Sequence, residues 1–443
     1  MKRILIVVLA ATSLLFAESY QVNTLSAKQM GMAHVGAGMK LGSESMHFNP
    51  GGLGFLDKKL DVSVGTTFII PEVGVWVNGV KTTNTELGTP LYIYAASSIT
   101  DWFTAGISFT TPYGNAVDYG KDWAGAGLLQ SISLAAYALQ PTVAFKPMSQ
   151  LSIGVSPVIY FGSFEQSKRL YPQGDTAALA LASATFSGDA DVGVAVNAGI
   201  LYDILQDKLA FGVGYRSEAK MKVAKGKTEV DYAVPDPMKS MLAAGLPTFE
   251  QGTFKAELPL PANLNTGISF RPMDNLLLAF DWQWVFWGTY NKLAIDFSDE
   301  VTVTIPSPDP SAAPSTNVEI PFSKTPNAAP SVKKYHDTFA YRLGAQYTPI
   351  DQLDVRLGAY YDESPVDDDY LTPESPSTDK LGLTIGASYR PITGLSIDAS
   401  LLRAVTLSSR KATSGTNPDK PDGLDARYKV TAWVPSIGLN YGF

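Results

Sequence analysis

The chain has 443 residues, no cysteine and a formal net charge of −8 at pH 7, and only 17% of its residues are charged. The lack of cysteine excludes disulfides, thiolate metal sites and cysteine nucleophiles, and the negative charge argues against a nucleic-acid partner. Glycine (38), tyrosine (21) and phenylalanine (20) are abundant, a balance that is typical of many short strands with aromatic belts.

The first residues have the pattern of an export signal. Lys2 and Arg3 form a positive start, residues 4–16 are apolar, and Ala17 ends a small-residue cleavage site. The apolar run is too short to span a bilayer as a helix, and no later stretch is long and apolar enough, so a helical membrane protein is excluded. We predict that residues 1–17 are a signal peptide.

The segment 18–59 does not have the pattern of a strand. It contains seven glycines and the pair Asn49-Pro50, a composition that favours short helical turns and tight loops. From Leu60 to the end of the chain, bulky residues alternate with small or polar residues.

Bulky and small residues alternate with a period of two through the rest of the chain, which predicts strands with one apolar face. For example, Leu381, Leu383 and Ile385 oppose Gly382 and Thr384. Fourteen segments carry this pattern: 60–70, 91–99, 102–110, 132–145, 151–164, 191–203, 209–223, 263–271, 275–297, 337–347, 353–361, 381–389, 395–405 and 428–443.

The connections between these segments alternate between short and long. Short turns lie near 100–101, 146–150, 204–208, 272–274, 349–352 and 391–394, and long connections lie near 71–90, 111–131, 165–190, 224–260, 298–336, 362–380 and 406–427. The last segment ends in Tyr441 and Phe443, as outer-membrane barrels do at the periplasmic interface. The pattern predicts an all-β fold: a 14-stranded antiparallel transmembrane β-barrel over 60–443, with 18–59 as a plug inside the lumen.

Short motifs along the chain resemble the FadL-type outer-membrane transporters of long-chain fatty acids and other hydrophobic molecules. The resemblance covers nearly the whole chain after the signal. The motifs are QMGMAH at 29–34, FNPGGL at 48–53, PYG at 112–114, DWAG at 122–125, LPLPA at 258–262, YRLGAQY at 341–347 and RLGAYYDESPV at 356–366. Each motif is weakly specific alone, and their order along a fourteen-strand chain is specific.

The resemblance implies a monomeric barrel plugged by an N-terminal hatch. Ligand would be captured by extracellular loops and released by rearrangement of the hatch. It would then leave the barrel laterally through a gap at an inward kink of the third strand. The inward positions of that strand are Thr104, Gly106 and Ser108, and we expect Gly106 to weaken the strand locally. The outer-membrane lipid, lipopolysaccharide and the barrel-assembly machinery, which would read the C-terminal strand, are the other expected partners.

This sequence departs from the family pattern in two places. The hatch motif, Phe48, Asn49, Pro50 and Gly51, has glycine where alanine is usual, and we expect the glycine to keep the turn while adding flexibility. Fatty-acid carriers place a basic residue on the fifth strand, and near that position this chain has Tyr160, Phe161 and Gly162, with Lys168 and Arg169 only further on. The ligand is therefore either a fatty acid or a less polar hydrophobic molecule.

Two long connections contain apolar residues that we interpret as short helices in the extracellular loops. Their candidate ligand-capture residues are Leu179, Leu181, Met238, Met241 and Leu242. Exposed apolar clusters mark binding surfaces, and methionine adapts to varied ligands. The alternative is that the two helices pack on each other over the barrel, and both readings can hold together.

Three arginines have the lumen-facing phase and are candidates for binding a carboxylate bidentately: Arg216, Arg342 and Arg356. Aspartates share that phase, so pairing across the lumen is the favoured reading for any one arginine. These aspartates are Asp281, Asp354 and Asp398.

An enzyme is a poor fit to this sequence. The chain has three histidines, His34, His47 and His336, and no G-x-S-x-G stretch, so it lacks a base placed beside a nucleophile. The acidic run within 362–369 could bind Ca²⁺, although a solvated loop is favoured. We expect no catalytic residue, no cofactor and no metal.

We predict a passive outer-membrane transporter of hydrophobic small molecules. The alternative is a general porin for small polar solutes, which would have a charged constriction and no apolar capture loops. The sequence leaves open the identity of the ligand and the direction of physiological transport.

Overall fold

The computed structural model describes residues 19–84, 86–169, 182–232, 252–297, 302–305, 318–321, 330–417 and 423–443. In this part of the chain, fourteen strands form one antiparallel barrel wall in which each strand pairs with the next along the chain. The first strand also pairs with the last, with Asp61 opposite Gly442. Because this pairing closes the sheet, the predicted fourteen-stranded barrel is confirmed.

The wall strands are numbered β1 to β14. β1 comprises Asp61–Thr67 and Ile70–Val77, β7 comprises Leu209–Arg216 and Ala219–Tyr232, and β8 comprises Gly252–Leu260 and Asn263–Met273. The others are β2 Leu91–Thr100, β3 Phe103–Asp118, β4 Ser131–Met148, β5 Leu151–Arg169, β6 Ala182–Leu205, β9 Leu276–Val285, β10 Thr338–Ile350, β11 Leu353–Asp362, β12 Lys380–Ile392, β13 Leu395–Thr406 and β14 Arg427–Gly442.

Short elements lie at the end of the barrel where the connections are long. The strands there are Val80–Asn84, Lys292–Leu293, Ile295–Phe297, Thr302–Ile305, Val318–Pro321, Ser331–Val332 and Arg410–Lys411, and the 3₁₀ turns are Trp287–Thr289, Asp368–Tyr370 and Ser414–Thr416. We call this the long-loop end, and the opposite end the short-turn end.

The bulky residues of the alternating strands point outward. In β12, Leu383 and Ile385 are exposed while Thr384 between them is buried against the lumen. At the short-turn end, the exposed rings of Trp102 and Phe145 stack on each other, as expected for an aromatic girdle. The predicted phase, with an apolar outer face and a small or polar inner face, is therefore confirmed.

Several predicted boundaries are wrong, because strands at the long-loop end extend into the predicted connections 71–90, 111–131, 165–190 and 224–260. Two cases have a clear local reason. The ninth strand ends at Val285 rather than near 297, because Phe286 leaves the extended region (φ −86, ψ 62) and Trp287 turns fully inward. The helix expected at 176–184 is excluded over its last residues, because Ala184 pairs with Lys168 in the wall. Strand β5 extends to Arg169, and Ala184 therefore pairs with it as part of β6.

Residues 19–59, which we call the hatch, lie inside the barrel. The helices are α1, Ala27–Met30, and α2, Ser45–Phe48, and 3₁₀ turns occupy Gly42–Glu44 and Pro50–Phe55. No helix in the described ranges is long and apolar enough to cross a membrane. The side chains of Leu25, Met32, Met46 and Leu53 are fully buried, so the hatch fills the lumen as a packed body.

Glycines line the wall where the hatch backbone lies against it. A Cβ added to Gly199 would stand 2.0 Å from Oδ1 of Asn49, and one added to Gly154 would stand 2.2 Å from the carbonyl oxygen of Pro50. Other wall glycines in similar contact with the hatch are Gly106, Gly212, Gly267, Gly344, Gly358 and Gly386. The small inward residues of the strands therefore make room for the hatch.

Candidate functional site

The predicted hatch motif forms a capped turn. The Asn49 side chain accepts a hydrogen bond from the Gly51 backbone N–H at 3.0 Å, and Pro50 occupies the first position of the 3₁₀ turn, where no N–H is needed. The Nδ2 of Asn49 donates to the carbonyl oxygen of Ala37 at 2.6 Å and to that of Ile200 at 3.0 Å. One side chain thus joins two parts of the hatch to strand β6.

Glycine at position 51 was expected to add flexibility, but the structure gives a steric reason for it. A Cβ there would lie 2.7 Å from the backbone nitrogen of Leu201, closer than real Cβ atoms approach. The ring of Phe48 fills the space beside Gly36, where an added Cβ would be only 2.8 Å from the ring. The motif is therefore a close contact with the wall, and flexibility is not needed to explain its glycine.

A carboxylate of the wall holds the middle of the hatch. Oδ2 of Asp281 in β9 accepts the backbone N–H groups of Gly36 at 2.6 Å and Ala37 at 2.8 Å. Near the short-turn end, Lys40 reaches out of the hatch to Asp203 at 2.7 Å and Asp207 at 2.8 Å. Polar contacts therefore tie the hatch to the wall at separate heights of the barrel.

Strand β3 leaves its neighbour β2 part way up the wall. The β2–β3 ladder ends at the pair Tyr92 and Thr110, and β3 shifts register against β4 between Thr110 and Tyr113. The next residue pair is held by a side chain, because the Leu91 N–H donates to Oγ1 of Thr111 at 3.0 Å. Pro112 has no N–H to continue a ladder, so the wall splits here.

The hatch occupies the edge that β3 exposes. Gln21 forms an antiparallel bridge with Tyr113. The Val22 N–H donates to the Pro112 carbonyl oxygen, and the Gly114 N–H donates to the Tyr20 carbonyl oxygen, each at 2.8 Å. The first described residues of the hatch therefore replace β2 as the partner of this part of β3.

The split does not lie where the sequence placed it. Thr104, Gly106 and Ser108 face the lumen within an uninterrupted ladder, in which Gly106 pairs with Ala96 of β2 and Thr142 of β4. A Cβ on Gly106 would lie 2.8 Å from Sδ of Met46. Glycine at this position therefore accommodates the hatch, and the strand is regular there.

An aromatic cluster surrounds Tyr20 at the split. Its ring meets Trp287 edge-on at 4.8 Å, Tyr290 edge-on at 5.7 Å and Tyr113 at 6.2 Å between ring centroids. Tyr335 completes the group at 4.9 Å from Tyr290. The five rings, which we call the aromatic cluster, are all buried and packed on one another, and four of them carry a hydroxyl group.

The sequence did not reveal this cluster. Trp287 and Tyr290 follow a strand whose apolar residues continue past residue 285, so the sequence does not mark the turn that carries them inward. The composition around Gly288 was the only available signal, since glycine within a strand pattern marks a departure from it.

Below the aromatic cluster, a polar cavity of about 30 Å³ separates hatch from wall. It brings together Arg216, Arg342 and His47. Several buried polar atoms at this cavity have no hydrogen-bond partner among the described residues, including Nδ1 of His34 and Nε of Arg342. The volume is enough for water but far below that of a ligand-sized pocket.

Of the three candidate carboxylate-binding arginines, Arg216 is the one with neutral side-chain partners, Tyr160 and His47. It is 6% exposed and donates to the backbone oxygen of His47 at 3.2 Å. Burial lowers the pKa of the His47 imidazole well below its ordinary value, so this neighbour is neutral. No carboxylate among the described residues lies within ion-pair distance of Arg216, and a buried guanidinium of this kind suits an anion.

The other two arginines have partners in the wall. Arg356 pairs with Asp354 at 3.0 Å, its neighbour two residues away on β11, so this pair runs along the strand rather than across the lumen as expected. Arg342 donates to Gln283 at 2.5 Å and stands 3.9 Å from Asp362. The other two aspartates considered as partners bind different groups. Asp281 accepts hydrogen bonds from the hatch backbone. Asp398 accepts hydrogen bonds from Ser388 and Ser396.

The remaining candidates fall into two groups. Leu179, Leu181, Met238, Met241 and Leu242 lie outside the described residues, so their capture role stays a prediction. In the acidic loop, Asp368 pairs with Arg410 at 2.7 Å. Within the described ranges, no three His, Asp or Glu side chains are arranged to hold a metal ion.

A family model described as outer membrane protein transport protein (OMPP1/FadL/TodX) matches residues 8–443 of the chain. A 47 kDa outer membrane protein of Pasteurella multocida is 26% identical over 251 residues, which cover 56% of this chain and 50% of that protein. The long-chain fatty acid transport protein of Escherichia coli O6:H1 is 23% identical, with 97% of this chain and 95% of that protein covered.

Solved structures have the same fold. A Pseudomonas aeruginosa FadL homologue matches with a TM-score of 0.76 at 18% identity, covering 96% of this chain and all of that one. The Pseudomonas putida toluene transporter TodX matches with a TM-score of 0.66 at 15% identity, again covering 96% of this chain and all of that one. At these identities the likeness shows the fold alone.

Proposed function

This chain belongs to the OMPP1/FadL/TodX family of outer membrane transport proteins, and from this premise we propose that it carries hydrophobic small molecules passively across the outer membrane. The substrate classes are long-chain fatty acids and aromatic hydrocarbons, because related proteins are named for one or the other. The protein is an outer-membrane β-barrel, and its family is one of transport proteins rather than enzymes.

The observation that carries the proposal is the aromatic cluster around Tyr20, at the point where β3 leaves β2. Five buried rings at one end of a plugged barrel offer apolar and π contacts to a hydrophobic solute. A general porin needs an open water-filled lumen with charged walls. The packed hatch, with Met32, Met46 and Leu53 fully buried, argues against that alternative.

The route that we propose runs from the long loops to the aromatic cluster and out through the split in β3. The hatch edge at Tyr20–Val22 closes that split through two backbone hydrogen bonds to β3, and the Tyr20 hydroxyl also donates to the Pro259 carbonyl oxygen. A hydrophobic ligand that reaches the cluster competes with the Tyr20 ring for the same contacts. Displacement of this edge opens a sideways path into the bilayer, where such a ligand partitions favourably.

Arg216 is the residue that would distinguish the two substrate classes. A fatty acid has a carboxylate that a buried guanidinium can bind, whereas toluene has no such group. We propose that Arg216 binds the carboxylate when the ligand is a fatty acid. Since Arg342 and Arg356 already have partners in the wall, they act in this role only if those contacts break.

We also propose that the protein acts as a monomer. Within the described residues the wall closes through the pairing of β1 with β14, and the hatch covers the edge of β3 at the split, so the barrel does not need a second copy to complete it. The exposed C-terminal stripe of Ile437, Leu439, Tyr441 and Phe443 is the segment that we expect the barrel-assembly machinery to recognise.

An uptake assay tests the proposal directly. Purified protein is reconstituted into proteoliposomes, and entry of radiolabelled oleate, toluene and a small sugar is measured against empty vesicles. We expect oleate or toluene to enter faster than in empty vesicles and the sugar to remain excluded. Rapid sugar entry with no gain for either hydrophobic probe would establish the porin alternative instead.

A further inference from the structure

A group of cations projects from the outer wall at the seam where β1 and β14 close the barrel. They are Arg403, Lys411, Arg427, Lys429 and Lys81, and two tryptophans, Trp433 and Trp76, stand among them. We call these seven residues the seam patch. None of them takes part in the transport route proposed above, since all of them lie on the outer face or at its upper rim.

The lowest cation of the patch is on the lipid-facing side of a wall strand. Arg403 shares the outward phase of β13 with Leu401 and Ile397, and its guanidinium lies 4.7 Å above the ring of Trp433. Its Nη1 atom is buried and has no hydrogen-bond partner among the described residues. An arginine in this position is costly unless it is near the membrane surface and finds an anion.

The height of Arg403 fits the membrane surface. It lies eight residues above Leu395 at the short-turn end of β13, or roughly 26 Å along the strand. With the usual strand tilt this is about 20 Å along the barrel axis, near the outer end of the ~25 Å apolar band. The guanidinium therefore lies where acyl chains give way to headgroups.

Further cations continue upward from that level. Along β14 the outward positions after Trp433 are Thr431, Lys429 and Arg427, and Lys411 pairs beside Arg427. The Lys81 ammonium lies 5.3 Å above the ring of Trp76 on the neighbouring hairpin. These positions make a basic strip that rises from the edge of the apolar band into the headgroup region.

Asp425 lies two positions before Arg427, but no carboxylate among the described residues forms an ion pair with Arg403, Arg427 or Lys429. Glu72 is the carboxylate on the adjoining strand, and it accepts a hydrogen bond from Thr431 at 3.0 Å. The lysines on β7 differ, because Lys220 and Lys222 share Glu257 at 2.7 and 3.4 Å. The seam patch therefore has an excess of positive charge, whereas the lysines Lys220 and Lys222 on β7 are paired with Glu257.

We propose that the seam patch is a binding site for lipopolysaccharide, with Arg403 and Lys429 contacting the phosphates of its lipid A. The outer leaflet of the outer membrane presents this phosphorylated glycolipid at the height of the patch. The exposed Leu401, Ile437 and Leu439 below Arg403 offer an apolar surface to its acyl chains. The proposal requires the long loops to face outward, and it is independent of the transported ligand.

The test compares two variants with the same change in charge. The patch variant is Arg403→Gln/Arg427→Gln/Lys429→Gln. Binding of purified lipopolysaccharide with a bisphosphorylated lipid A to the full-length protein in detergent is measured by native mass spectrometry at increasing concentration. We expect affinity to fall at least about tenfold, because each lysine or arginine near a membrane surface contributes on the order of 1 kcal/mol toward an anionic lipid.

The control variant is Lys220→Gln/Lys222→Gln/Lys227→Gln, and we expect its affinity to stay within about twofold of the wild-type value. Removing both phosphates from the lipid A should weaken binding to the wild-type protein and abolish its advantage over the patch variant. Equal losses in both variants, unchanged binding to the patch variant, or equal competition by phosphatidylglycerol would each overturn the proposal. Heat-modifiable migration on gels confirms in every variant that the barrel is intact.

Discussion

Oδ2 of Asp281, in wall strand β9, accepts the backbone N–H of Gly36, in the hatch, at 2.6 Å. The same oxygen accepts the N–H of Ala37 at 2.8 Å. The carboxylate is 4% exposed, so the two bonds form out of water and are charge-assisted. This side chain fixes the centre of the hatch to the wall without the help of any hatch side chain.

Replacing Asp281 with alanine should loosen the hatch. A hydrogen bond to a charged group contributes about 1.5–3 kcal/mol, and two such bonds are lost together. We expect Asp281→Ala to raise single-channel conductance in planar bilayers toward the value reached when residues 19–54 are deleted. Asp101→Ala, in an exposed turn, is the control and should conduct like the wild type. If Asp281→Ala also matches the wild type, this contact does not hold the hatch.

The wall glycines allow a matched pair of substitutions. Gly199 and Gly214 face each other across β6 and β7. A Cβ added to Gly199 would lie 2.0 Å from Oδ1 of Asn49. The atom nearest to a Cβ added to Gly214 is the Phe48 backbone oxygen, at 3.4 Å. We expect Gly199→Ala to displace the hatch turn and expose it to protease in folded barrels, while Gly214→Ala stays resistant. Equal resistance of both variants would contradict the close-contact reading.

The sequence predicted the wall well because a strand needs only its two-residue period, which Leu383, Thr384 and Ile385 display openly. It predicted the split poorly. Gly106 was the obvious weak point by residue type, yet its lack of a side chain accommodates Met46 of the hatch. Contacts between segments distant in sequence decide such cases, and no local pattern records them.

The same limit applied to the site. Shared phase and opposite charge made Asp354 an expected arginine partner, but its pair with Arg356 joins neighbours on β11 and does not cross the lumen as predicted. The role of Asp281 could not be expected, because its partners are backbone N–H groups, which every residue except proline has. Tyr20 was missed because a ring within a polar start has no periodicity to mark it.

The orientation of the barrel follows from loop length and can be tested with tags. Gly79, at the tip of a long-loop hairpin with φ +82, has open space around it, and Thr393 lies in an exposed short turn. We expect a tag inserted at Gly79 to bind antibody on intact cells, and a tag at Thr393 to bind only after permeabilisation. A tag near Ala312, outside the described residues, should behave like the first. Labelling of both ends on intact cells would reject this orientation.

Substitution of Arg216 should separate the two classes of ligand. Arg216→Gln removes the buried guanidinium but keeps a hydrogen-bond donor to the His47 carbonyl oxygen. We expect oleate affinity to fall by roughly tenfold or more, as for loss of a charged hydrogen bond, and toluene uptake to be unchanged. Arg356→Gln, which breaks a wall ion pair, should lower stability without such selectivity. Equal loss for both ligands in Arg216→Gln would mean that the residue is structural.

A disulfide between hatch and wall tests the opening of the split. Gln21 and Tyr113 form a bridge flanked by the hydrogen bonds of their neighbours, which makes them a non-hydrogen-bonded pair with Cα atoms about 4.5 Å apart. This separation is within the range that a disulfide spans. The natural chain has no cysteine, so Gln21→Cys/Tyr113→Cys would form this crosslink without competing thiols.

We expect the oxidised double variant to block uptake of the hydrophobic probe while the barrel stays folded, because the hatch edge can no longer leave β3. Reduction should restore uptake in the same sample, and this internal comparison cancels any effect of losing the Tyr113 ring from the aromatic cluster. The single variant Gln21→Cys, unable to form the crosslink, should not respond to oxidant. Uptake that persists when the crosslink is complete would place the exit elsewhere in the wall, and the family assignment would be unaffected.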